Sequence, residues 1–323
     1  MSKTKIKWAD ETWNPIVGCS KISEGCENCY AEKMARRQSF LRPGCEYDKV
    51  LQNCVWPSWN GKTALVGSAL KKKFPGKGKR IFVCSMGDLF HPDVLHGWID
   101  LVMNIIDENP QHTFIALTKR PIFMAEYFIK YTFPPKNLWL GVTAENQKQA
   151  KRRIPVLLQI PATKRFVSIE PMLSGVDIER FLDCSPEQAE SHLARYGFSP
   201  RPLDWVICGG ESGPKARPMH PDWVRSLRDQ CKTAGVPFFF KQWGEWGLSS
   251  PLKNGKFDYS QSHTLANDGT LYKSYDLAYP DGARRSEALS KDHERANLNL
   301  VFRVGKKKAG KMLDGQEYIE VPE

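Results

Sequence analysis

The chain has no apolar run approaching the roughly 18 residues that a membrane-spanning helix needs; its most apolar stretches are short and broken by charges. The opening segment, MSKTKIKWADETWNP, carries neither an apolar core nor a small-residue cleavage site, so nothing in it directs export, and a cytoplasmic protein without membrane association is expected. An internal repeat of long period, a low-complexity tract and a glycine-rich phosphate loop ending in lysine are all missing, and nucleotide hydrolysis is therefore disfavoured. The nine cysteines are an odd number, and in a reducing compartment they are expected to be thiols or metal ligands instead of a disulfide framework.

What is present is a length of 323 residues with 41% hydrophobic content, enough for one large domain or two ordinary ones. Lys and Arg number 47 against 36 Asp and Glu, giving a net charge of +11 that should attract an anion, nucleic acid being the commonest such partner. The basic clusters are Lys71–Lys73 with Lys77 and Lys79, Lys148 with Lys151–Arg153, and Lys306–Lys308 with Lys311; a solvated basic surface would have the same composition. Several of the ten tryptophans could interleave with these clusters as stacking platforms.

Six cysteines, at 45, 54, 84, 184, 208 and 231, stand singly and read as small buried hydrophobes or idle thiols. Cys19, Cys26 and Cys29 form a C-x6-C-x2-C pattern in a loop bracketed by Gly18 and Gly25. The close pair can meet one metal while the backbone turns between them, and the third thiol reaches over on a flexible arm. Structural zinc wants four ligands and no fourth is near, the nearest histidine being His91. Three thiols with one open position suit a [4Fe–4S] cluster whose fourth iron binds something else; zinc is the alternative.

Short β-branched and aromatic runs alternate with helix-period segments from residue 80 to about 245. Strands are predicted at 12–17, 80–85, 113–118, 138–143, 165–169, 205–208 and 237–241, and helices at 29–38, 94–106 and from Pro221 to a stop at Gly235. The α/β order predicts a partial or closed parallel (β/α) barrel over 1–246, and 247–323 a polar appendage and basic tail packed on it. Turns are expected at Asn254–Gly255 and Asp268–Gly269, while Asp281–Gly282 with Arg284–Arg285 has no assigned role. The segment 43–78 reads as a loop that covers part of the mouth or as an inert insertion.

Right-handed crossovers bring all the strand C-termini to one side, so the residues after them should converge. Asp88, Glu145, Glu170 and Glu211 are the candidates for polar cofactor contacts, with Gly209 and Gly210 offering close backbone approach and amide donors. Lys119, Arg120 and Lys241 are the candidate substrate contacts, suited to carboxylate or phosphate.

The cysteine motif followed by Tyr-Ala-Glu, with MGDLFH at 86–91, LTKRP at 117–121, GVTAEN at 141–146, SIEPML at 168–173, GGESGPKARPMHPDWVRSLRDQC at 209–231 and FKQWGEW at 240–246, resembles the three-cysteine phage protein family. The tail from Val304 to Gly315 is similar too, so the likeness spans nearly the whole chain. It implies a phage or prophage protein of unassigned substrate, placed in the host-cell cytoplasm, whose cysteine loop is similar to that of radical-SAM enzymes. Those enzymes commonly have three residues in the first cysteine gap where this chain has six, and a glycine-rich acidic motif where it has Met86-Gly87-Asp88.

The resemblance implies that Cys19, Cys26 and Cys29 ligate three irons and that S-adenosylmethionine chelates the fourth. A reductase would supply the electron that releases an adenosyl radical, and the substrate would be nucleic acid or nucleotide-derived. Two competing readings have no chemistry: a zinc-stabilised nucleic-acid-binding module and an α/β scaffold whose tail recruits a partner.

Overall fold

The computed structural model describes residue 4 and residues 6–130, 133–183, 202–248, 252–253, 256–257, 262–272 and 298–323. Seven apolar runs pair in chain order into one all-parallel sheet: β1 (Glu11–Trp13), β2 (Arg80–Val83), β3 (Thr113–Thr118), β4 (Leu138–Thr143), β5 (Lys164–Ile169), β6 (Trp205–Gly209) and β7 (Phe238–Gln242). The sheet curls into a half-barrel whose edge strands, β1 and β7, are not paired with each other. No described helix is long and apolar enough to cross a membrane.

The strand expected over 12–17 is interrupted. Pro15 has no N–H to donate to a ladder, and the Asn14 side chain instead accepts from the Met86 N–H (3.0 Å) and the Ser85 hydroxyl (3.1 Å). Ile16–Val17 leaves the parallel sheet and pairs antiparallel with Ala64–Leu65. The helix of the cysteine motif is α1 (Tyr30–Leu41), and α2 (His96–Asp107), α3 (Pro121–Lys130), α4 (Gln147–Leu157) and α5 (Pro221–Ala234) pack on the outside of the sheet. Gly235 closes α5 in the left-handed conformation, φ 67°, where a side chain would be strained.

Alternation along each strand sends side chains to two different cores. Outward residues such as Ile81, Val83, Phe114, Leu140, Val167, Val206 and Phe240 meet the helices. Inward residues at the N-terminal end are large: Phe82, Ile115, Trp139, Phe166, Trp205 and Phe239, joined by Trp8. Trp205 is their hub, with ring centroids 5.7–6.1 Å from Phe166, Trp8, Trp139 and Phe239. Room for this floor comes from Gly141 on β4, where a Cβ would lie 2.3 Å from the Phe166 ring.

The tail seals the exposed side of β7. The Phe240 N–H donates to Tyr318 O (2.9 Å), the Phe238 N–H to the Glu320 carboxylate (2.9 Å) and Trp205 Nε1 to Glu320 O (2.8 Å). Before the tail, β8 (Trp246–Gly247), β9 (Ser262–Ala266), β10 (Leu271–Tyr272) and β11 (Leu298–Arg303) make a small antiparallel sheet in the order β8-β11-β9-β10. Its β9–β10 turn holds Asp268 and Gly269, the latter at φ 95°. Asn254–Gly255, Asp281–Gly282, Arg284–Arg285 and Cys184 lie outside the described residues.

Segment 43–78 is more ordered than a loop. It contains the helices Glu46–Val50 and Gly67–Leu70, and Val50, Leu51 and Trp59 pack with Ala31 and Ala35 of α1.

Replacing Gly141 with alanine should force the Phe166 ring from its place and destabilise the protein by about 1–3 kcal/mol, as overpacked cores do. A lowered urea midpoint at unchanged slope is the expected result.

Candidate active site at the barrel mouth

Above the aromatic floor, the inward positions become small or polar: Gly141 and Thr143 on β4, Ser168 and Glu170 at the end of β5, Gly209 on β6 and Lys241 on β7. Glu170 and Lys241 pair at 2.6 Å, each partly exposed, and the Glu170 carboxyl lies beside Gly209, where an added Cβ would be 3.4 Å away. The cysteine loop crosses this mouth.

It is tied to the ends of four strands. After β3, Arg120 donates to Ser20 O and Ser20 Oγ (both 2.8 Å), and its guanidinium reaches Cys19 Sγ at 3.5 Å. After β4, Glu145 accepts from the Gly25 N–H (3.4 Å), and Asn146 bonds the Glu24 carboxylate. After β6, Glu211 accepts from Asn28 (3.1 Å), while Arg217 bridges to Glu27 (3.0 Å) and Glu24 O (2.9 Å). After β2, Ser85 O accepts from the Tyr30 hydroxyl (3.1 Å).

Three carboxylates expected to face a cofactor are each joined to an arginine. Asp88 pairs with Arg120 (2.8 Å), Glu145 with Arg153 (2.9 Å) and Glu211 with Arg217 (2.8 Å), and each carboxylate is buried. Burial alone would raise the pKa of Glu145 and Glu211, but Arg153 and Arg217 hold both below the ordinary carboxylate value. In this arrangement the three acids position the loop.

Arg120, expected on the substrate side, is 6% exposed and directs its donors to Asp88 and Ser20. Lys119 lies beside it, its N–H 3.4 Å from the Asp88 carboxylate. The Gly210 amide, expected to meet an anion, donates to Gln242 O (2.8 Å); a Cβ there would lie 1.9 Å from Trp243 O, so this glycine permits loop-to-loop contact. Two of the expected basic clusters are also smaller than their sequences suggest. Arg153 turns inward to Glu145, and Lys72 and Lys79 both pair with Glu11, at 3.1 and 2.7 Å.

Arg217, with Ser20, Asn28 and Tyr30, was given no role by the sequence, and Arg153 was read only as part of a basic cluster. Arg153 lies eight residues after Glu145 and Arg217 six after Glu211, separations that only the β4–α4 and β6–α5 connections close.

Cys19, Cys26 and Cys29 are partly exposed, in contrast to the fully covered Cys84, Cys208 and Cys231. Burial, with the nearby Asp88 charge, pushes the metal-free Cys19 thiol up to about 12, against the opposing pull of Arg120. Cys26 Sγ is 3.8 Å from the Ser23 hydroxyl, and Cys19 and Cys29 pack against the small core cluster to which Val17 and Ala31 belong. His91 is not a spare ligand: Nε2 bonds Ser20 Oγ (2.8 Å) and Nδ1 accepts from the Asp93 N–H (3.1 Å). Among the described residues no three His, Cys, Asp or Glu side chains converge closely enough to hold one metal ion. The three thiols of the loop, all free, are thus not gathered round one point in this structure; as a donor set they are one fewer than the four that structural zinc takes, and the number that a [4Fe–4S] cluster with one open iron would use.

The chain belongs to the DUF5131 family, proteins of unknown function. The family model matches residues 3–322, taking in the cysteine loop, the half-barrel and the tail that seals β7. No curated protein and no solved structure matches the chain.

Arg153→Met should leave Glu145 buried and unpaired and cost about 3–5 kcal/mol. The double variant with Glu145→Gln should recover part of that loss in chemical denaturation; equal stability of the single and double variants would count against the pair as the tie beneath Gly25.

Proposed function

We propose that this protein is an iron–sulfur enzyme of the radical S-adenosylmethionine type, of phage or prophage origin, acting on nucleic acid or a nucleotide-derived substrate. The observation that supports it is the position of the three-thiol loop, held over the polar C-terminal mouth of a parallel half-barrel. Strand C-termini are where barrels of this kind build active sites, because only there do the βα loops converge.

Cys19, Cys26 and Cys29 would hold three irons of a [4Fe–4S] cluster, leaving the fourth open. When bound, the group supplies one-electron chemistry on S-adenosylmethionine, with electrons drawn from a reductase. The chain's own contribution is placement. Arg120, Glu145 and Asn28 fix the loop, and the aromatic floor closes the barrel beneath it. Glu170 and Lys241, paired across the mouth, present one charge of each sign to an amino acid moiety or a phosphate. Lys119 stands at the same rim, close enough to Glu145 for its charge to lower that carboxyl's pKa.

Anaerobic reconstitution should give a brown protein with about four irons per chain whose reduced paramagnetic spectrum shifts when S-adenosylmethionine is added. Cys26→Ala should lose the iron–sulfur absorbance. A colourless protein with one zinc would overturn the enzyme reading in favour of a nucleic-acid-binding module.

A further inference from the structure

The outer face of α1 carries a pattern that the barrel mouth does not use. At 100° per residue, Tyr30, Lys33, Arg37, Phe40 and Leu41 fall within one arc of about 100°. All five are exposed, Phe40 at 84%, Leu41 at 58% and Tyr30 at 54%. The buried residues of the helix, Ala31, Glu32 and Ala35, lie on the opposite side. Glu32, the one acid of the helix, is taken up by Lys21, Arg36 and the Trp59 N–H, and among the described residues neither Lys33 nor Arg37 forms an ion pair. The face thus sets two cations between two aromatic rings, with the acid of the helix turned to the opposite side, a composition unlike that of a core-facing stripe.

The face also has a direction. Tyr30 follows Cys29 and its hydroxyl is anchored to Ser85 O at the mouth, and Lys33 Nζ reaches over Gly213 in the loop after β6. From there the stripe runs about 15 Å along the helix to Phe40, the reach of a few nucleotides, with the two cations about 6 Å apart.

We infer that this stripe is a track for single-stranded nucleic acid leading to the mouth, with Phe40 and Tyr30 stacking on bases and Lys33 and Arg37 holding phosphates. The inference rests on the nucleic-acid reading of the substrate and gives that substrate a strand state and an entry route. Stacking is indifferent to base identity, so the track supplies affinity and direction, and any sequence selection falls to the mouth. A free strand also suits the geometry, since a mouth crossed by a clamped loop admits an unpaired base more readily than one stacked inside a duplex.

Fluorescence anisotropy with labelled mixed-sequence single-stranded DNA and RNA oligonucleotides, titrated over a range of salt, tests it on the reconstituted full-length protein. Phe40→Ala should weaken binding roughly five- to hundred-fold with the salt slope unchanged. Arg37→Ala should weaken it and reduce the slope of log affinity against log salt by about 0.7. Both sites are exposed, so unchanged circular dichroism and iron content should accompany these losses. A duplex of the same sequence should compete poorly. Wild-type protein with full iron that retains no oligonucleotide, or variants that bind as wild type does, would overturn the track and leave the enzyme reading standing. Protein that takes up no iron on anaerobic reconstitution but still binds through Phe40 and Arg37 would support the track and remove the enzyme. Self-association abolished by Phe40→Ala, without oligonucleotide binding, would give the face to a second copy of the chain and overturn the track.

Discussion

Three buried carboxylates at strand ends, each answered by an arginine, are the constraint on which the rest of the mouth depends. An unpaired charge at such positions would cost several kcal/mol, so Asp88, Glu145 and Glu211 must find cations or lose their charge. The arginines that answer them do more than neutralise. Arg120 reaches Ser20 and Cys19, Arg217 reaches Glu24 and Glu27, and Glu145 uses its remaining capacity on the Gly25 N–H. The loop that bears the thiols is thereby fixed from three sides by groups that the sheet holds rigidly.

The half-barrel beneath is divided along its length. Its lower half is filled by aromatic rings around Trp205, with Gly141 giving up its side chain so that Phe166 can fit. Its upper half is lined by small and polar groups, ending in the Glu170–Lys241 pair. The incomplete circle creates a second demand, because β7 would otherwise present unpaired backbone groups at an edge. The chain's last residues meet it by lying along Phe238–Phe240 and closing the seam near Trp205.

The strands were legible because a buried parallel sheet writes itself as short, nearly continuous apolar runs, and α5 because Pro221 and Gly235 mark its ends. The break at Asn14-Pro15 was missed, although proline alone carried the signal that the first strand could not continue. The cysteine spacing likewise marked its loop, and the rule that strand ends converge gathered Asp88, Glu145, Glu170 and Glu211 onto one rim. The partners of those acids were not legible, because no helical or strand period links Glu145 to Arg153 or Glu211 to Arg217.

By itself the sequence determined the parallel α/β class, the three-thiol loop and the set of charged residues at the strand ends, since each follows from local pattern and from the handedness of βα crossovers. Only the tertiary structure decided which charges are free. Arg153, read as surface charge, is an interior partner, and Arg120 is a clamp, because burial and pairing are set by neighbours distant in the chain. It also decided that α1 turns Tyr30, Lys33, Arg37 and Phe40 outward. A helix fixes which residues share a face, but only packing against Val50, Leu51 and Trp59 determines which face meets solvent.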